Sequence, residues 1–90
     1  MEISKIYNLF INSKGVCIDT RKIVKKSIFF AIKGNNFDGN NFVNEALKKG
    51  CSYAITDKKS IKKNDKIIYV NNSLQTLQEL AKFHRILKQS

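Results

Sequence analysis

Proline and tryptophan are missing from this 90-residue chain, histidine occurs once, and cysteine occurs only at Cys17 and Cys51. With no Cys-x-x-Cys pair and no second histidine, the sequence supports neither a zinc site nor a disulfide framework, both of which need several ligands or paired thiols. Both cysteines read as reduced thiols, Cys17 on a strand and Cys51 beside a turn. No apolar run approaches the roughly 18–20 residues that a membrane helix requires, and the opening Met1-Glu2-Ile3-Ser4-Lys5 has neither the basic nor the apolar region of a secretion signal. The expected location is therefore the cytoplasm, with no membrane partner. No Pro-rich or Gly/Ser-rich linker and no internal repeat divides the chain, and a chain of this length makes one domain at most.

Acidic residues are scarce, 7 against 17 Lys and Arg, so the formal charge is +10. Such a charge raises nucleic acid as a partner. Composition argues otherwise: 15 Lys, 10 Asn and 12 Ile are all types favoured by A/T-rich codons, and a coding bias scatters Lys over any solvated surface. The densest run, Lys58 to Lys66, lies between two apolar segments and contains no aromatic residue to stack on a base. It reads as a solvated loop. A basic nucleic-acid-binding module is kept as the rival from another class.

Ile3, Ile6, Tyr7, Phe10 and Ile11 recur at helical spacing and place one apolar stripe on a short helix that Gly15 ends. Val16 to Asp19 reads as a short strand. Ile28-Phe29-Phe30-Ala31-Ile32 is unbroken and too short for a helix, which suggests a strand covered on both faces. Residues 40–49 return to helical spacing through Phe42, Val43, Ala46 and Leu47, and Gly50 stands where a left-handed cap belongs. Tyr53-Ala54-Ile55 and Ile67 to Val70 read as two more strands. The last helix starts at Asn72 or Ser73, with Gln75 placed as in a capping box, and carries the stripe Leu74, Leu77, Leu80, Ala81, Phe83 and Leu87, with His84 at its edge. The expected fold is α/β, a small mixed sheet of about four strands packed between helices.

Chemistry is concentrated in two segments. Lys33-Gly34-Asn35-Asn36-Phe37-Asp38-Gly39-Asn40-Asn41 sits between the most buried strand and the next helix, with its glycines spaced as in the phosphate-cradling Gly-x4-Gly-Lys-Ser/Thr loop. Asn40 and Asn41 stand where the Lys and hydroxyl residue must be, so the segment cannot neutralise terminal phosphates or hold magnesium. A Gly-bounded loop running into a helix start still offers free N–H groups to an anion or a polar ring edge, with Lys33 and Arg21 adding charge. The amides of Asn35 and Asn36 can read a pyrimidine edge, and Phe37 offers a stacking face. In Cys17-Ile18-Asp19-Thr20-Arg21-Lys22, Asp19 and Arg21 can pair across a turn that Thr20 caps. No Ser/His/Asp or paired-carboxylate constellation supports catalysis, so no catalytic residue and no metal ligand is expected.

These segments, in this order, carry a family resemblance. Asp19-Thr20-Arg21-Lys22, then Ser27 to Gly34, then Asn36-Phe37-Asp38-Gly39 with Phe42, Ala46 to Gly50, and Leu77-Gln78-Glu79-Leu80-Ala81 with His84-Arg85 resemble the N-terminal domain of the Mur ligases, which extend the peptidoglycan stem peptide. The likeness is strongest to the branch that adds D-alanyl-D-alanine, with the tripeptide synthetase branch as the alternative. Three departures stand out. Lys25-Lys26-Ser27 replaces the family's Pro-Gly-Asp turn, Asn40-Asn41 replaces its His-Asp pair, and Ile18 replaces the Thr or Ser common in the first branch.

The resemblance implies that residues 1–90 form one domain that holds the UDP end of a UDP-N-acetylmuramoyl-peptide. ATP and magnesium would belong to a central domain, and the incoming amino acid or dipeptide to a C-terminal domain, neither of which is expected within this chain. Carried over by motif position, the uridine contacts are Ile18, Thr20, Asn35, Asn36 and Phe37, supported by Asp19, Arg21, Lys33, Gly34, Asp38 and Gly39. The expected partners are that substrate and the other domains of the ligase. The chain is expected to be a monomer that is inactive alone and needs no cofactor of its own.

Overall fold

The computed structural model describes residues 3–62 and 64–89, with side chains to residue 85. Helix α1 spans Ile3–Ile11, strand β1 Val16–Cys17, strand β2 Ile28–Phe30, helix α2 Val43–Lys48, strand β3 Tyr53–Thr56, strand β4 Ile67–Tyr69 and helix α3 Ser73–Gln89. Two single turns of 3-10 helix, Thr20–Lys22 and Gly39–Phe42, interrupt the connections. The strands pair in chain order, β1-β2-β3-β4, and all three pairings are parallel. The expected α/β layering is present, but the sheet is parallel throughout and not mixed. Ile28, Phe29 and Phe30 are all at 0% exposure, so β2 is covered on both faces as its unbroken apolar run suggested.

Strand order and direction decide the layers. Parallel neighbours need crossover connections, which keep one hand, so three crossovers stepping the same way must recross the same face. That face carries α2, with Ile23 from the β1–β2 link and Ile61 from the β3–β4 link packed on Phe29, Ala31, Val43, Ala46, Cys51, Ala54 and Ile67. The opposite face is left to the helices at either end of the fold. There Ile6 of α1 and Leu80 of α3 close over Ile28, Phe30, Ile55 and Ile68. The strict alternation of Ile28, Phe29, Phe30 and Ala31 between the two clusters is the period-two geometry of a strand. Tyr7 joins the two covering helices, its ring edge-on to Phe83 at 4.9 Å and its hydroxyl hydrogen-bonded to His84 Nδ1 at 3.1 Å.

Several expected details shift. Ile11 is exposed, while Leu9 and Phe10 of the same last turn of α1 pack on the sheet-facing cluster. Leu74 and Ala81 fall outside the buried stripe of α3, where Leu77 and Leu80 face the sheet; the side chain of Leu87 lies outside the described residues. Residues 40–49 divide into a 3-10 turn and a short helix. Asn72 caps α3 by accepting from the Gln75 N–H at 2.9 Å, but the Gln75 amide turns forward to Glu79 and leaves the reciprocal half of the box unmade. Cys17 and Cys51 are free thiols, as expected. Ser27 Oγ lies 3.3 Å from one and 3.5 Å from the other, and because it donates to Val24 O at 2.6 Å it accepts from the thiols.

Gly15 and Gly50 take positive φ, +124° and +113°, the second where a glycine cap was expected. Lys26 does so as well, at 68°, without glycine's freedom. This is the position at which the family resemblance places a glycine. The turn keeps its shape because the Lys26 N–H donates to Gly50 O at 2.7 Å and Lys26 O accepts from the Lys14 N–H at 3.0 Å. A left-handed residue with a side chain costs about 1–2 kcal/mol, part of which glycine returns as unfolded-chain entropy. Lys26→Gly is expected to stabilise the domain by about 0.5–1 kcal/mol, read from the midpoint of urea unfolding at unchanged slope.

Candidate functional site

The carboxyl ends of β1 and β2 lie side by side, about 4.8 Å apart, and open sheets of this kind hold ligands at that edge. Ile18, Asp19 and Thr20 leave β1, and the segment from Lys33 leaves β2. Topology therefore brings together the two segments that carry the sequence signal.

The second segment is a hairpin. Lys33 and Asp38 form an antiparallel bridge, the Gly34 N–H donates to Phe37 O at 2.6 Å, and the Gly39 N–H donates to Ile32 O at 2.9 Å. Asn35 and Asn36 occupy the tip, exposed, and their side chains make no hydrogen bond among the described residues. Phe37 stacks on Phe42 with centroids 5.2 Å apart and planes 9° from parallel, and it remains 44% exposed. A flat aromatic surface therefore adjoins two amide side chains with donors and acceptors to spare.

The two glycines are not equivalent. A Cβ on Gly39 would meet backbone atoms, Ile32 N at 2.7 Å, Ile32 O at 2.9 Å and the Ala31 Cα at 3.0 Å, whereas one on Gly34 would meet only Phe37 O at 3.7 Å. Gly39 is required because the chain folds back against the end of β2. The phosphate-loop spacing is thus met by a different loop. The expectation of a helix start with free N–H groups is corrected as well, since the Asp38 carboxylate caps the 3-10 turn by accepting from the Asn40 N–H at 2.9 Å. An anion would face a carboxylate there.

On the β1 side Asp19, not Thr20, is the cap. Its Oδ1 accepts from the Arg21 N–H at 2.9 Å, and its carboxylate takes the guanidinium side by side, Oδ2 to Nη2 at 2.9 Å. The hydrogen bond from the Arg21 side chain, helped by its N–H, holds the Asp19 carboxyl at about 2. The Arg21 charge is consequently paired with that of Asp19, while Lys33 stands exposed with no ion pair among the described residues. Thr20 is buried, 6% exposed, and its backbone oxygen accepts from Lys49 Nζ at 2.8 Å, which ties this turn to the end of α2. Ile18 is 51% exposed.

Sequence reasoning passed over Asn40. It is buried, and its amide contacts Asp38, Thr56 and Asp57. Its position inside a polar run hid it, because a buried amide in a turn carries no periodicity. The residues present do not fit ATP or magnesium. Asn40 and Asn41 replace the Lys and hydroxyl residue of a phosphate loop, and no cluster of three or more His, Cys, Asp or Glu that could hold a metal occurs among the described residues.

A profile described as "Mur ligase family, catalytic domain" matches residues 12–85. This chain belongs to the Mur ligase family. The UDP-N-acetylmuramoyl-L-alanyl-D-glutamate--2,6-diaminopimelate ligase of Rickettsia conorii is 47% identical over 68 residues, 76% of this chain and 14% of that protein. The UDP-N-acetylmuramoyl-tripeptide--D-alanyl-D-alanine ligase of Rickettsia prowazekii is 36% identical over 76 residues, 83% of this chain and 17% of that protein. Among solved structures, the MurF ligase of Thermotoga maritima in complex with ADP is similar at TM-score 0.71 and 31% identity, over 82% of this chain and 17% of that one. MurF from Acinetobacter baumannii gives TM-score 0.73 and 28% identity over 82% of this chain and 16% of that one. The Mur ligase resemblance drawn from the motifs is borne out, and the chain spans about one-seventh of the length of the curated relatives it matches.

Two outcomes test this geometry. Gly39→Ala is expected to lower stability by about 1–3 kcal/mol in urea unfolding, as a forced backbone shift does, and Gly34→Ala to change it by less than about 1 kcal/mol. Carbon-13 NMR is expected to place the Asp19 carboxyl near 2, and Arg21→Ala to return it toward its ordinary 3.8. Because the folded value is depressed, the pair's contribution is full above 3.8 and disappears as pH falls through about 2.

Proposed function

We propose that this chain is the domain of a peptidoglycan stem-peptide ligase that holds the uridine diphosphate end of a UDP-N-acetylmuramoyl-peptide. The observation that carries the reading is the paired edge of β1 and β2. Exposed Ile18 and the Thr20 turn lie on one strand exit, and the Asn35-Asn36-Phe37 tip lies on the next. In this reading the uracil ring stacks on Phe37, which Phe42 backs. Asn35 and Asn36 read its polar edge, Ile18 covers an apolar side, and the Thr20 hydroxyl, which has no partner among the described residues, meets the ribose or ring. Lys33 and the outer side of Arg21 supply positive potential for the diphosphate, while Asp19, Gly34, Asp38 and Gly39 hold the two loops in shape.

ATP-driven amide formation through an acyl phosphate then belongs to other domains of the ligase, and this chain's work is to fix one end of the substrate. The names of both relatives share the UDP-N-acetylmuramoyl group, so the loops described here read a feature common to both substrates. The Asn36-Phe37-Asp38-Gly39 loop and the likeness to MurF structures favour the D-alanyl-D-alanine-adding ligase as the parent. The 47% identity to the diaminopimelate-adding ligase, against 36% to the other, supports the second reading, as does Ile18.

Titration of the nitrogen-15-labelled domain with UDP-N-acetylmuramic acid is expected to shift the amides of Ile18, Thr20 and Asn35 to Phe37, and to do so at high salt. Asn36→Ala is expected to weaken that binding about tenfold, the worth of one or two ring-edge hydrogen bonds. Absence of shifts with the sugar nucleotide, together with broad salt-sensitive shifts over the lysines with a short DNA duplex, would overturn the reading in favour of the basic module.

A further inference from the structure

Asn40 is buried, 8% exposed, beneath the hairpin that carries Asn35 to Phe37. Its hydrogen bonds determine which way its amide points. The Lys58 N–H donates to Thr56 Oγ1 at 3.1 Å, so the Thr56 hydroxyl proton is free for Asn40 Oδ1, which accepts it. Asn40 Nδ2 is thereby turned to two carboxylates, Asp38 Oδ1 at 2.9 Å and Asp57 Oδ1 at 3.5 Å. Asp57 Oδ2 in turn accepts from the Ser73 N–H at 2.9 Å, at the start of α3. One amide side chain therefore spans the closing residue of the hairpin, the exit of β3 and, through Asp57, the first turn of α3. Both of its donors and its acceptor are used, which is the condition under which a buried polar group specifies a position and does not merely tolerate it.

We infer that Asn40 is a positioning residue: it locks the Lys33–Asp38 hairpin to β3 and α3, and so sets where Asn35, Asn36 and Phe37 stand. The backbone supplies only part of this lock. The hairpin's own bonds, Gly34 N–H to Phe37 O and Gly39 N–H to Ile32 O, fold the loop on itself and onto β2. Nothing in them ties it to β3. Asn40 also separates two carboxylates that would otherwise repel one another across the same gap, since each accepts one of its protons. Preorganisation of this kind lowers the ordering cost of binding. The uridine part of the inference rests on the function proposed above, whereas the ordering of the hairpin does not.

The test is native-state hydrogen exchange with and without ligand. In Asn40→Ala the Gly34 and Gly39 amides are expected to lose at least about tenfold more protection than the Ala54 amide, which bonds to Lys66 O inside the sheet. UDP is expected to bind about tenfold more weakly. Equal loss at hairpin and sheet, or unchanged hairpin protection, would overturn the inference. Should the variant fail to fold, the wild-type chain decides. The Asn40 Nδ2 protons and the Gly34 and Gly39 amides are expected to exchange through one common opening with one denaturant dependence, and separate openings would overturn the lock. If the wild-type chain binds no UDP, the proposed function fails while the exchange comparison still decides the role of Asn40.

Discussion

Four consecutive strands running in one direction leave the chain no tight turns inside the sheet, so each connection has to cross over, and all of them cross on the same face. From that constraint follow the burial of Phe29 against α2, the need for α1 and α3 to cover Ile28, Phe30, Ile55 and Ile68 on the other side, and the gathering of strand exits along one edge. Replacing either β2 phenylalanine by Ala would cost about 3–5 kcal/mol by the usual scale of core truncations, a large fraction of what a domain of this size has. The candidate site is a by-product of the same geometry. Neighbouring parallel strands deliver their exits side by side.

The edge is then shaped by close backbone approaches and short polar bridges. Gly39 lets the hairpin fold against Ile32, Asp38 and Asp19 each close a 3-10 turn, and Lys49 fastens the Thr20 turn to α2. The carboxylates that cap these turns also limit what the edge can bind. With Asp38 on the turn and Asp19 on Arg21, an anion has no bare helix start to approach. Beside Phe37 the exposed amides of Asn35 and Asn36 make no hydrogen bond among the described residues.

Sequence patterning revealed the elements whose signals are local. The Ile28 to Ile32 run and the Ile67 to Val70 segment each yield a strand, and the α1 stripe from Ile3 to Phe10 and the glycine at position 50 behave as their spacing suggested. Details set by distant partners were hidden. Leu74 looks like part of a helical stripe until the sheet's edge leaves it exposed, and the residue types around Lys26 do not by themselves announce a left-handed turn held by Gly50 and Lys14. The Gly34-to-Gly39 spacing equals that of a phosphate loop, a likeness that Asn40 and Asn41 already broke in the sequence. A hairpin has the same spacing because both need a bend of that length.

Composition, periodicity and turn chemistry were enough to establish the α/β class and the order of elements, and to single out two candidate segments, because those depend on residues close together in the chain. Parallel direction, the choice of Asp19 as cap over Thr20, the burial of Asn40 and its contacts with Thr56 and Asp57 came only with the tertiary structure. They depend on which strands become neighbours, and a contact between residues 40 and 57 leaves no periodic trace in the sequence that separates them.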